Sequence, residues 1–152
     1  MIIYIGADHK GFKLKQHVIE FVRSKGYEIV DMGNTVEDLN DDYPDFAAAV
    51  AEKVSLNHES SKGILLCGSG VGVDVIANKF KNIRSALVCT PDQAFDSRND
   101  DDSNILTLPA NYITPEEANK VVTTWLETPF SGEERHARRI QKIYDIEQKN
   151  FK

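Results

Sequence analysis

The sequence predicts an α/β fold in three layers: a doubly wound, five-stranded parallel sheet with helices on both faces and an extra helix at the C-terminus. Two observations carry this. Short runs rich in Ile, Val and Leu alternate with longer stretches of helical spacing. The short runs are continuously apolar, as strands are when both of their faces are covered. At 152 residues, with 41% hydrophobic and 28% charged residues, the chain reads as one domain spanning 1–152. A chain of that length buries roughly 70% of its unfolded surface.

Each element has a local reason. Residues 2–7 form an apolar strand that ends in Asp8-His9-Lys10-Gly11. Residues 12–25 place Leu14, Val18, Phe21 and Val22 on one helical face, and Gly26 supplies the stop. Residues 27–32 are a second strand, and residues 34–42 are a polar loop. Pro44 suits the first turn of a helix that reaches about Val54. Residues 63–66 make the third strand and 71–80 its helix. Residues 85–89 make the fourth strand and 92–97 a short helix. Residues 104–108 make the fifth strand, and Thr114 caps a helix through Leu126 with acids in its first turn. Residues 133–148 form a final charged helix.

Charge and composition narrow the function. The net charge of −6 argues against nucleic acid or an anionic membrane as the main partner, since both need a positive face. No apolar run approaches the ~20 residues that span a bilayer, and residues 1–6 lack a basic leader. Two cysteines, Cys67 and Cys89, are too few for a disulfide scaffold, so a reducing cytoplasm is expected. Cys89 sits in an apolar run and reads as structural.

The chemistry concentrates at Cys67-Gly68-Ser69-Gly70-Val71-Gly72, where a buried strand meets a glycine-rich turn and a helix. The turn's amides and the helix dipole suit an anion, and they also favour a thiolate at Cys67. The glycine spacing fits neither a dinucleotide fingerprint nor a P-loop, and no arginine follows Cys67 at the spacing a cysteine phosphatase needs. A nest for a small anion or a developing oxyanion remains. In a parallel sheet, ligands bind beyond the carboxyl ends of the strands. Asp8 and His9 after the first strand, the Cys67–Gly72 turn after the third, and the 98–104 segment are therefore expected at one edge. The last of these precedes its strand, which hints at a site shared between subunits. Tyr43 is held extended by Pro44. Arg135 and Arg139, on the last helix with His136 and Arg138, could form a phosphate clamp. Asp100-Asp101-Asp102 does not suit a metal, because adjacent residues cannot converge on one ion.

Several motifs run in order along the chain: Ala7-Asp8-His9-Lys10-Gly11, Asp42-Tyr43-Pro44, residues 63–72, Ala77-Asn78-Lys79, Ile83-Arg84-Ser85-Ala86 and Arg135-His136-x-x-Arg139. Together they resemble the ribose-5-phosphate isomerase B family, which also contains galactose-6-phosphate isomerase subunits. The resemblance implies a Rossmann-like domain and a homodimer or dimer of dimers with shared sites. It also implies aldose–ketose isomerisation of a sugar phosphate without metal or cofactor. By that resemblance Cys67 is the base that moves a proton between C1 and C2. Ser69 and the amides of Gly68, Gly70, Val71 and Gly72 hold the enediolate oxygen. Asp8 and Tyr43 contact sugar hydroxyls, and His9, Arg135 and Arg139 contact the phosphate. Val73 stands where part of the family carries a glutamate base.

The chain departs from the family pattern at three positions. Asp100 replaces the histidine that opens a furanose ring, and Asp101 replaces an asparagine. Asn111 stands where an arginine from the neighbouring subunit would reach the phosphate. Asp100 can accept the anomeric proton, but it cannot donate as an imidazolium does. Besides ribose 5-phosphate, the sequence therefore leaves open a hexose 6-phosphate type of substrate, or a sugar-phosphate-binding homologue without turnover. A thiol redox or phosphatase enzyme is disfavoured, because there is no resolving cysteine.

Overall fold

A computed structural model describes residues 1–151. The strands are β1 (Ile2–Ala7), β2 (Glu28–Asp31), β3 (Ser61–Cys67), β4 (Ser85–Leu87) and β5 (Ile105–Pro109). The helices are α1 (Phe12–Ser24), α2 (Tyr43–Leu56), α3 (Val71–Ala77), α4 (Pro91–Asn99), α5 (Pro115–Glu127) and α6 (Glu134–Asn150). The strands pair in the order β2-β1-β3-β5-β4, all parallel. The order reverses between β1 and β3, so their carboxyl ends frame the crevice where ligands enter such sheets.

Two apolar layers sandwich the sheet, as the continuous runs predict. Leu14, Val18 and Val22 of α1, Ala94 of α4, and Val121 and Trp125 of α5 pack on one face. Ala47, Val50 and Val54 of α2, with Val73 and Ala77 of α3, pack on the other. Lys15 is the exception among the buried residues of α1. Its ammonium donates to both carboxylate oxygens of Asp31 at 2.8 Å and to the Asn34 carbonyl at 2.8 Å. A buried charge persists when it is paired and hydrogen-bonded in this way.

Several boundaries differ from the sequence reading by a residue or more, and three of the differences bear on the site or have a clear local cause. β3 extends through Cys67, so the thiol belongs to the last strand residue itself. α3 stops at Ala77 rather than residue 80. Asn78 turns its amide back to the Asp74 carbonyl (3.1 Å) and ties the helix end to Ser85, competing with further helix. β4 stops at Leu87, because the amide of Cys89 donates to Gln93 Oε1 (2.8 Å) in the capping box of α4. Cys89 is exposed, which corrects its reading as a structural residue.

α6 differs from the other helices. Its only buried residues are polar, His136 and Glu147. His136 Nδ1 pairs with the Ser131 hydroxyl at 2.8 Å, and the Glu147 carboxylate accepts the Asn82 N–H at 3.0 Å.

Candidate active site

The carboxyl ends of β1 and β3 bring together one group of the expected residues. Ala7 pairs with Leu66, so Asp8 follows β1 beside the position of Cys67. Asp8 is buried, and its Oδ1 accepts the Gly11 N–H at 3.0 Å. Cys67 is also buried, and its Sγ accepts the Gly70 N–H at 3.1 Å. That contact needs φ +77° at Gly70, a left-handed conformation open to glycine at little cost. The Val71 N–H is turned to Ser69 Oγ at 3.3 Å. Two of the four amides expected to hold an oxyanion are thus already engaged, one of them on the sulfur. Tyr43 starts α2 and lays its ring against Gly72, where a Cβ would come within 2.7 Å of Cε2. Cys67, Ser69, Gly68 to Gly72, Asp8, His9 and Tyr43 therefore form one cluster on one chain.

His9 is held by a residue that the sequence did not single out. Asp41 accepts the His9 N–H at 3.0 Å and lies 2.7 Å from Nδ1 through the same Oδ1. A carboxylate only accepts, so Nδ1 carries the proton and Nε2 is left for a ligand. The other oxygen of Asp41 accepts from Asn34, whose carbonyl in turn accepts from buried Lys15. The polar 34–42 loop thus carries a relay from the core to His9. Asp41 lies 32 residues from His9, among several similar acids, so only the fold could single it out.

The rest of the expected set lies elsewhere. Gly63 pairs with Ile105, so the 100–104 loop before β5 sits at the amino ends of the strands. Four residues of strand separate Ile105 from the level of Cys67, about 13 Å. The expectation that the 98–104 segment shares an edge with Cys67 is therefore wrong within one chain. Asp100 caps the end of α4, 3.7 Å from His136 Nδ1, with its Oδ1 accepting from Asn99 at 2.7 Å. Asp101 is exposed beside it. Arg135 is exposed and paired with Glu133 at 2.8 Å, and Arg139 is exposed one turn along α6. The 128–136 segment lies at this same end: the Ser131 N–H donates to the Asn99 carbonyl at 3.1 Å.

Asn111 corrects a second expectation. Its N–H donates to the carbonyl of its own chain's Gly68 at 2.9 Å. β5 runs beside β3 with Cys67 opposite Pro109, and two further residues bring Asn111 alongside the turn. The position of the absent arginine belongs to the same chain as Cys67.

Asp74, unused by any of these contacts, fastens the turn from behind. Ser85 donates to its Oδ1 at 2.7 Å, and Ser85 Oγ lies 3.1 Å from Thr107 Oγ1. Burial pushes the Asp74 carboxyl above its usual range, while hydrogen bonds from Ser85 and Thr107 oppose the rise. Among the described residues, no group of His, Cys, Asp and Glu is arranged to hold a metal. No helix there is long and apolar enough to cross a membrane.

A family model described as Ribose/Galactose Isomerase matches residues 3–143. The chain belongs to this family. Relatives agree over nearly the whole length. Ribose-5-phosphate isomerase B of Escherichia coli (strain K12) is 37% identical over 147 residues, covering 97% of each chain. The crystal structure of ribose-5-phosphate isomerase B from Mycoplasma genitalium with bound ribulose-5-phosphate superposes with a TM-score of 0.95. It is 42% identical and covers 98% of this chain and 97% of that one. The Clostridium thermocellum ribose-5-phosphate isomerase B structure gives a TM-score of 0.92 at 40% identity, over 98% of this chain and 99% of that one. The Rossmann-like fold of the Ribose/Galactose Isomerase family is thus the fold of this chain.

Proposed function

We propose that this chain is an aldose–ketose isomerase that interconverts ribose 5-phosphate and ribulose 5-phosphate through an enediolate, with Cys67 as the base. The hydrogen bond from Gly70 N–H to Cys67 Sγ supports this most. A donor aimed at sulfur fixes its position in the turn, and a thiolate there can take a proton from one carbon and return it to the next. The Ser69 hydroxyl and the remaining amides of the turn then face the charge that develops on the substrate oxygen. Fixed donors of that kind contribute about 3–4 kcal/mol each. Asp8 and Tyr43 would hold sugar hydroxyls, and His9 would meet the phosphate through Nε2.

Arg135, Arg139, Asp100 and Asp101 enter this reading through a second copy of the chain. They lie at the opposite edge of the sheet from Cys67, so a partner would present them to it. A homodimer, or a dimer of dimers, with two shared sites is the simplest arrangement.

Replacing Cys67 by Ala tests the base. Turnover of ribose 5-phosphate should fall about 10³-fold or more, with an unchanged circular dichroism spectrum. A variant with wild-type turnover would remove Cys67 from the chemistry. A second reading is favoured by one observation, the neutral Asn111 beside Gly68. It keeps the isomerase but shifts the substrate towards a hexose 6-phosphate. Comparing kcat/KM for the two sugar phosphates on the wild-type protein decides between them. Binding of both without turnover of either would instead leave a sugar-phosphate-binding homologue.

A further inference from the structure

At the amino ends of β3, β4 and β5, the edge opposite Cys67, a polar cavity of about 410 Å³ opens. Lys62, Arg84 and Arg98 line it, with Asp102, Glu59 and Asn104. Lys62 and two arginines thus meet two carboxylates, with Met1 and His58 also in the lining, on a chain whose net charge is −6. Asp102 is already divided between the arginines: Oδ1 accepts from Arg98 Nη1 at 2.7 Å, and Oδ2 from Arg84 Nη2 at 3.0 Å. Arg98 is buried and further fixed by the carbonyls of Ser103 and Thr128. Arg84 is fixed by the carbonyls of Asp101 and Asp102. The guanidinium groups are therefore held in place before any ligand arrives.

Lys62 lacks such fastening. Among the described residues its ammonium makes no ion pair, and it lies 5.0 Å over the ring of Trp125. Burial, then Arg98 and Arg84, lower its pKa to about 8, with Asp102 opposing them. A lysine set beside two arginines, without a carboxylate of its own, costs stability unless an anion completes the cluster.

We propose that Lys62, Arg84 and Arg98 form a binding site for a compact polyvalent oxyanion of the phosphate class. Lys62 is the donor without a carboxylate partner, and the two arginines are the ones already fastened. The polar lining excludes an apolar group, and the fixed guanidinium planes suit tetrahedral oxyanions.

The chain's single tryptophan, Trp125, reports on this site. Pyrophosphate titrated at constant ionic strength should change Trp125 fluorescence saturably in the wild-type protein. Lys62→Met should weaken that binding about tenfold, the loss expected for one charge-assisted hydrogen bond. Asp102→Asn removes the competing carboxylate and should tighten the binding, a direction that mere loosening of the fold does not produce. Arg135→Ala should leave the titration unchanged. The absence of a saturable change in the wild-type protein, or equal affinity in the wild-type and Lys62→Met proteins, would overturn the proposal. So would weaker binding in Asp102→Asn.

Discussion

Asp41 holds His9 at two points, accepting the backbone N–H at 3.0 Å and lying 2.7 Å from the ring Nδ1. One carboxylate thereby sets the position of the main chain, the tautomer and the ring plane. Asp41→Ala should raise KM for the sugar phosphate about tenfold while lowering kcat less, as loss of an orienting partner does. Steady-state kinetics across substrate concentration separates the two. A fall in kcat alone, with KM unchanged, would place His9 in the chemical step instead.

Tyr43 and Gly72 are packed too closely for any added carbon. In Gly72→Ala the new Cβ would lie 2.7 Å from Tyr43 Cε2 and 2.8 Å from Cζ. Relief requires the ring to move, at a cost of about 1–3 kcal/mol. Urea unfolding should show that loss, and turnover should fall with it. Adding Tyr43→Ala should recover the stability but not the turnover, because the two positions are coupled only through the clash.

The separation of Cys67 from Arg139 predicts complementation. Cys67→Ala and Arg139→Ala proteins should each be inactive alone. Mixed after reversible unfolding in equal amounts, they should regain about a quarter of wild-type activity. Half of the dimers are then mixed, and each mixed dimer has one intact site of two. No recovery after remixing, with mixed dimers present by mass spectrometry, would put both residues in one chain's site.

Lys62 makes stability depend on alkaline pH. Its folded pKa of about 8 lies below the ordinary lysine value of 10.5. Below about pH 8 both states hold the proton, and the folded state bears the full penalty. Between pH 8 and 10.5 the unfolded chain binds more protons, so this group makes stability rise with pH. Above that window both states are neutral and the penalty is gone. Lys62→Met should be more stable than the wild type at pH 7, and the advantage should shrink towards pH 10. Urea midpoints at the two pH values measure both effects.

The strands were readable because burial on both faces leaves the same apolar run whatever the neighbours do. Ile2–Ala7 and Ile105–Pro109 illustrate this. The ends of elements were less readable, because single polar side chains decide them. Asn78 ends α3, and Gln93 captures the amide of Cys89 before β4 can extend. The Cys67 turn was legible because its glycines are consecutive in sequence. The role of Asp41 was not, since it depends on a loop folding back over 32 residues. The position of Asn111 follows from β5 lying beside β3, an adjacency that strand order alone reveals.

α6 is held differently from the rest of the chain. Its two buried residues, His136 and Glu147, are polar and stand three turns apart, while Ile143, Tyr144 and Ile146 are exposed. No apolar residue between those two points is buried, so little apolar burial fastens the helix to the rest of its own chain. The sheet's stability and the helix's attachment are therefore separable. Amide exchange along 138–146 should be faster than in β1 or β3, whose residues exchange only when the core opens.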